Sequence, residues 1–185
     1  MTIRLSLFLP TALLLAISLG ACSDKAAQTP KEVSASDGAY RLTVTDAYVD
    51  QMAQKEAIVA AYMPGLPAEQ LTLLQIQGKP EAGKMVYGSH MPIPEGNTFS
   101  MQQLAKQVEV VSNSIERVQD IRFHEIADTD TEASYVLTTT FGDTVAYEAC
   151  RMAIATAQLF TVCARTTDAN EVAAAEQMMD SLIFD

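Results

Sequence analysis

The chain of 185 residues has no tryptophan, two histidines and three cysteines. Its six tyrosines and six phenylalanines are not interleaved with basic residues in the way that stacks bases or sugars. Positive charge is scarce. Twelve Lys and Arg stand against 23 Asp and Glu, for a net charge of −11, and no basic cluster marks an anion pocket. Such a chain repels nucleic acid and anionic membrane surfaces, so a nucleic-acid partner is excluded. There is no Cys-x-x-Cys, which argues against a dithiol redox catalyst, and no Gly-x-Ser-x-Gly elbow. Ser89 and His90 are neighbours in a predicted strand. They point to opposite faces and cannot form a nucleophile–base pair. Asp128, Asp130 and Glu132 alternate like the start of a calcium loop. The Gly and Glu such a loop needs at its sixth and twelfth positions are here Ala133 and Thr139, so a solvated turn is expected. His90 and His124, with nearby carboxylates, remain as the one route to metal-dependent chemistry. No cofactor and no catalytic residue is implied by any pattern.

What is present begins at the N-terminus. Arg4 precedes an apolar run from Leu5 to Leu19, broken once by Pro10 and followed by Gly20-Ala21-Cys22. A cationic start, an apolar run and small residues read as a secretory signal peptide over residues 1–21. The run is shorter than the ~20 residues that span a bilayer. Leu19-Gly20-Ala21-Cys22 resembles a bacterial lipobox. That likeness implies that Cys22 is acylated with palmitate-like chains and becomes the first mature residue. It also implies, from Ser23 in the next place, sorting to the inner leaflet of the outer membrane, facing the periplasm. Two or more acyl chains anchor stably. Removal of residues 1–21 takes away one positive charge, Arg4, and leaves 164 residues at −12, enough for one domain. Residues 22–39 are polar and small and read as a lipid-anchored flexible tether, reaching roughly 20–25 Å as a coil. Residues 40–185 form the single globular domain.

Cys150 and Cys163 are the remaining cysteines, and an even pair in an exported chain reads as a disulfide. Residues 144–154 and 159–166 read as strands joined by a tight turn at Ala155-Thr156-Ala157-Gln158. Pairing about that turn sets Cys150 opposite Cys163 at a non-hydrogen-bonded position, where Cα atoms come within ~4.5 Å. The same register sets Glu148 opposite Arg165, a favourable pair. Two reduced, buried cysteines are the rival reading.

The rest of the chain alternates short strands with few helices. Tyr40–Thr45 alternates as a strand. A helix follows over 47–62, stopped by Pro64-Gly65. Strands are expected at 71–77 and 84–91, joined by a turn at Gly78–Gly83, and a rigid loop at Pro92–Gly96. Met85, Met91 and Met101 flank that loop. They form either an adaptable binding surface or, by default, core filler. Ser100 and Gln103 form a capping-box pattern, and Phe99 with Leu104 a hydrophobic staple. They open a helix over 101–116 with Met101, Leu104, Val108, Val111 and Ile115 on one face. Strands follow at 121–127, 133–141, 144–154 and 159–166. Asp168 and Glu171 then open a last helix, with Val172, Ala175, Met179 and Leu182 facing inward. Both faces of the 144–166 hairpin are apolar, which demands cover on both sides. The fold class is therefore α+β, a largely antiparallel sheet with helices on both faces.

The order of lipobox, polar tether, strand pair, the helix Phe99-Ser-Met-Gln-Gln-Leu-Ala-Lys-Gln, four strands and a closing helix ending Met179-Asp-Ser-Leu-Ile-Phe resembles the DcrB-like lipoproteins. The likeness spans about residues 70–184. It implies a Mog1/PsbP-like α/β/α sandwich and a non-enzymatic interaction module of the cell envelope, loosely tied to envelope integrity, with an envelope protein as partner. It carries over no functional residue. The alternatives are a toxin-immunity or chaperone-type adaptor, and a metal-dependent protein using His90 and His124.

Overall fold

The computed structural model describes residues 29–35, 38–45, 48–62, 74–79, 83–96, 98–127 and 130–184. Nine strands and three α-helices occur among them: β1 Lys31–Ser34, β2 Tyr40–Val44, α1 Lys55–Tyr62, β3 Gln75–Lys79, β4 Lys84–Pro92, α2 Met101–Asn113, β5 Val118–Phe123, β6 Glu132–Phe141, β7 Thr144–Ala155, β8 Gln158–Thr166, α3 Val172–Asp180 and β9 Ile183–Phe184. A six-stranded antiparallel sheet runs β3-β4-β8-β7-β6-β5, and a three-stranded sheet runs β1-β2-β9.

The centre of the large sheet is the β7–β8 hairpin. Its two-residue turn places Thr156 and Ala157 at φ 48° and 57°, the left-handed pair of a type I′ turn whose twist matches the strands. Ala155 opposes Gln158, and from there the register runs to Cys150 opposite Cys163 and Glu148 opposite Arg165. Because side chains alternate, one face of the hairpin presents Ala149, Val162 and Ala164. These pack against Tyr40, Leu42 and Val44 of β2 and against Ala175, Met179 and Leu182 of the closing segment. The other face presents Cys150, Met152 and Cys163 to Met101 and Leu104 of α2. On the same side as α2, α1 lays Ile58 and Val59 on Ile76 and Met85. The large sheet is thus covered on both sides, as a sheet apolar on both faces requires.

One close approach locks the small sheet to the large one. Gly88 of β4 lies under the Tyr40 ring, and a Cβ there would stand 2.7 Å from the Tyr40 hydroxyl. Glycine is needed for contact, since its φ is unremarkable.

Several sequence expectations change. Within the expected 22–39 tether, Lys31–Ser34 is a strand paired antiparallel to β2, Lys31 against Val44 and Ser34 against Arg41. Only Val33 of this strand packs on the core, so an edge strand here carries almost no apolar signal. The domain therefore begins at least nine residues earlier than residue 40. The helix expected at 47–62 is regular only from Lys55, after a 3-10 turn at Met52–Gln54. The strand expected at 71–77 is seen from Gln75 to Lys79. Residues 71–73, Pro64-Gly65, Asp128 and the whole of 1–28, with Cys22 and the signal peptide, lie outside the described residues. Helix α2 ends at Asn113 rather than 116, and the strand expected at 121–127 is shifted to Val118–Phe123.

Candidate functional site

The two histidines do not meet. His90 lies on β4, stacked on Phe160 with ring centroids 5.6 Å apart, its Nδ1 2.6 Å from Gln158 Oε1. His124 follows β5, with Nε2 3.2 Å from Glu176 Oε1 of α3. Four inter-strand steps separate β4 from β5, roughly 19 Å at the usual strand spacing. A shared metal between them is ruled out by that separation. Among the described residues no group of three or more His, Cys, Asp or Glu is placed to hold a metal ion. Ser89 and His90 sit on opposite faces of β4, as the alternation required. Asp130 caps a turn, its Oδ2 accepting from the Ala127 N–H at 2.7 Å.

The predicted cysteine pair is joined. Cys150 and Cys163 form a disulfide with Cα atoms 4.1 Å apart, as expected of a non-hydrogen-bonded position. Both are buried within the α2 face of the sheet, so the bond is a structural staple between central strands.

Two residues along from it lies a buried ionic group. Glu148 and Arg165 are both almost wholly buried, and Arg165 Nη1 stands 3.8 Å from Glu148 Oε1. The Tyr87 hydroxyl donates to Glu148 Oε2 at 2.8 Å. Burial pushes the Glu148 carboxyl above its ordinary value, and Arg165, Tyr87 and Arg117 offset this only in part. The long ion-pair distance explains why the offset is incomplete. Burial, followed by the Glu148 charge, lifts Tyr87 well above 10, so its hydroxyl stays a donor. Burial likewise raises Tyr135. The cluster lies inside the fold and fixes strand register rather than facing a substrate.

A polar groove of about 530 Å³ runs beside α3 over β6 and β7, lined by His124, Glu125, Glu132, Arg151, Glu176 and Asp180 among others. Its cation is already engaged. Arg151 Nη1 donates to the Met179 and Leu182 carbonyls at 3.2 Å each, and Nη2 pairs with Glu132. Arg151 thereby ties β7 to the end of α3 and the residues that follow it. The His124–Glu176 pair is well exposed and worth little on its own.

Another concavity is apolar. A groove of about 410 Å³ lies between α2 and the segment Met91-Pro92-Ile93-Pro94, with Leu104, Val108 and Val111 on one bank and Leu159 in the floor. Its lining holds no charged residue. Val110 and Val111 are each 60% exposed and Met91 45%. Of the three methionines flanking this loop, Met85 and Met101 are buried in the core and only Met91 reaches the surface. Val111 and Ile115, expected to face inward, are exposed instead. Helix α2 buries Met101, Leu104, Ala105 and Ser112 and packs Val108 on the core, while Val110 and Val111 are left exposed. The Pro92-Ile93-Pro94 bracket and the apolar residues of α2 were visible in the sequence; that the two face each other was not.

No protein-family model matches the chain, and no curated protein matches it by sequence. Solved structures do. The chain is similar to the cyanobacterial PsbP protein CyanoP of Synechocystis sp. PCC 6803, with a TM-score of 0.52 at 12% identity over 90% of this chain and 99% of that one. It is also similar to the Ran-binding protein Mog1p of Saccharomyces cerevisiae, with a TM-score of 0.51 at 10% identity over 85% and 96%. These likenesses show the fold: a Mog1/PsbP-like α+β domain.

Proposed function

We propose that the chain is a lipid-anchored envelope protein, DcrB-like in type, held at the outer membrane through Cys22 and facing the periplasm. Its role is to bind another envelope protein without catalysis. The observation that carries this reading is the uncharged apolar groove beside α2, lined by Met91, Ile93, Val108 and Val111. A concave apolar site is the usual form of a binding site, and this one is built from side chains that make no reactive cluster. The order Arg4, apolar run, Leu19-Gly20-Ala21-Cys22 supports the anchor. The disulfide suits an oxidising compartment. The yeast relative of this fold is by name a binder of a protein, Ran, which supports a fold used for recognition. Membrane attachment brings the groove to partners in the same envelope.

In-cell crosslinking followed by mass spectrometry tests this, beside a Cys22→Ser form exported behind a conventional cleavable signal peptide. One dominant envelope partner, lost or reduced when the anchor is removed, is the expected result. Recovery of the anchored protein with no partner above background, or turnover of a substrate by the purified protein alone, overturns the reading.

A further inference from the structure

We propose that the groove between α2 and Met91–Pro94 takes an amphipathic helix of its protein partner, apolar on one side and basic on its flanks. This deepens the binding-module reading above and rests on it. The backbone of the groove decides the form of the occupant. An extended peptide needs backbone donors and acceptors from the bank it joins. Pro92 and Pro94 have no N–H, and the Ile93 N–H already donates to the Ala157 carbonyl at 2.8 Å. The opposite bank is a helix, α2, whose backbone groups are paired within it. Neither bank can add a strand, so the occupant must satisfy its own backbone, and a helix does. The lining has no charged side chain, so what enters is apolar.

Charge selects the flanks. Lys106 on α2 is held by Glu109, Nζ to Oε2 at 2.6 Å, and Glu95 follows Pro94 exposed on the other bank. The chain as a whole carries −11. That field attracts a basic segment and repels a second copy of this chain or an anionic lipid surface. Helix α2 has 13 residues, about 20 Å of axis, which matches two to three turns of a partner helix with anchors at i, i+3 or i+4, and i+7.

The test uses the exported Cys22→Ser form and two synthetic 18-residue helices of identical leucine face, one with lysine and one with glutamate on its polar face. Affinity is read by fluorescence anisotropy. The lysine helix is expected to bind at least tenfold tighter than the glutamate helix. Val111→Asp is expected to weaken it at least tenfold, and Val49→Asp, on an exposed valine away from the groove, to leave it unchanged. Val111 is already exposed, so its replacement does not threaten the fold; circular dichroism checks this. Equal affinity for both helices overturns the proposal, as does unchanged binding by Val111→Asp. So does a dimer in sedimentation that Val111→Asp dissolves, or binding to phosphatidylcholine vesicles that Val111→Asp abolishes. A crosslinked envelope partner that survives Val111→Asp in cells removes the groove but keeps the binding module. The absence of any partner removes the module itself.

Discussion

Glu148 is the residue whose environment departs furthest from its chemistry. It is buried with Arg165 at 3.8 Å and Tyr87 at 2.8 Å, and its carboxyl is held above the ordinary 4.5 by loss of solvation. A raised acid binds its proton more tightly folded than unfolded, so stability attributable to Glu148 rises as pH falls from the raised value toward 4.5. This is the reverse of the usual surface carboxylate. The gap in unfolding free energy between wild type and Glu148→Gln, from urea titrations at several pH values, is therefore expected to shift in favour of wild type as pH falls through that window. A shift the other way would mean that Arg165 holds the carboxylate charged. At neutral pH, Glu148→Ala removes the carboxylate beside the buried Arg165 and the acceptor of the Tyr87 hydroxyl, and is expected to cost about 3–5 kcal/mol. The neighbouring disulfide closes a short loop, with a sequence separation of 13, and its reduction is expected to lower unfolding free energy by about 3 kcal/mol. Alkylation without reductant should leave Cys150 and Cys163 unmodified in intact mass. Labelling there would show the pair reduced in the isolated protein.

Among the elements, those that speak through local chemistry were legible in the sequence. The Ser100–Gln103 capping box is formed, with Ser100 Oγ accepting from the Gln103 N–H at 3.2 Å and Gln103 Oε1 from the Ser100 N–H at 3.1 Å. The β7–β8 register followed from one turn and two cysteines. Asp168 caps the closing segment through the Asn170 N–H, and Ala175, Met179 and Leu182 face inward as their spacing required. What stayed hidden depends on distant partners. Strand β1, Lys-Glu-Val-Ser, is polar because it is an edge that buries one side chain. The groove was illegible because no local pattern says that α2 lies beside the Met91–Pro94 segment. The contact of Gly88 with Tyr40 is equally non-local, joining residues 48 apart. It is also the joint between the two sheets. Gly88→Ala inserts a methyl 2.7 Å from the Tyr40 hydroxyl, so the ring or β2 must move. A loss of about 1–3 kcal/mol in thermal or urea unfolding is expected. No loss would mean that the small sheet shifts freely on the large one.

The whole molecule combines a large sheet packed on both faces, a net charge of −11 and a proposed membrane address, and β1 bears on the first and the last. If residues 22–39 were only a tether, trimming them would leave the domain untouched. Instead Lys31–Ser34 pairs with four of the five residues of β2, Arg41 to Val44, and Gln77 Nε2 donates to the Ser34 carbonyl at 3.1 Å, tying β1 back to the large sheet. On the proposed anchor at Cys22, β1 begins nine residues along the chain rather than 18. Two truncations separate the readings. A chain starting at Pro30 retains β1 and is expected to unfold at the same temperature as the mature chain. One starting at Tyr40 exposes the β2 edge, with Tyr40, Leu42 and Val44 behind it. It is expected to unfold at a lower temperature and to associate through the bare edge, visible as oligomers in size-exclusion chromatography with light scattering. Equal unfolding temperatures for the two would mean that residues 31–34 add nothing to the stability of the fold.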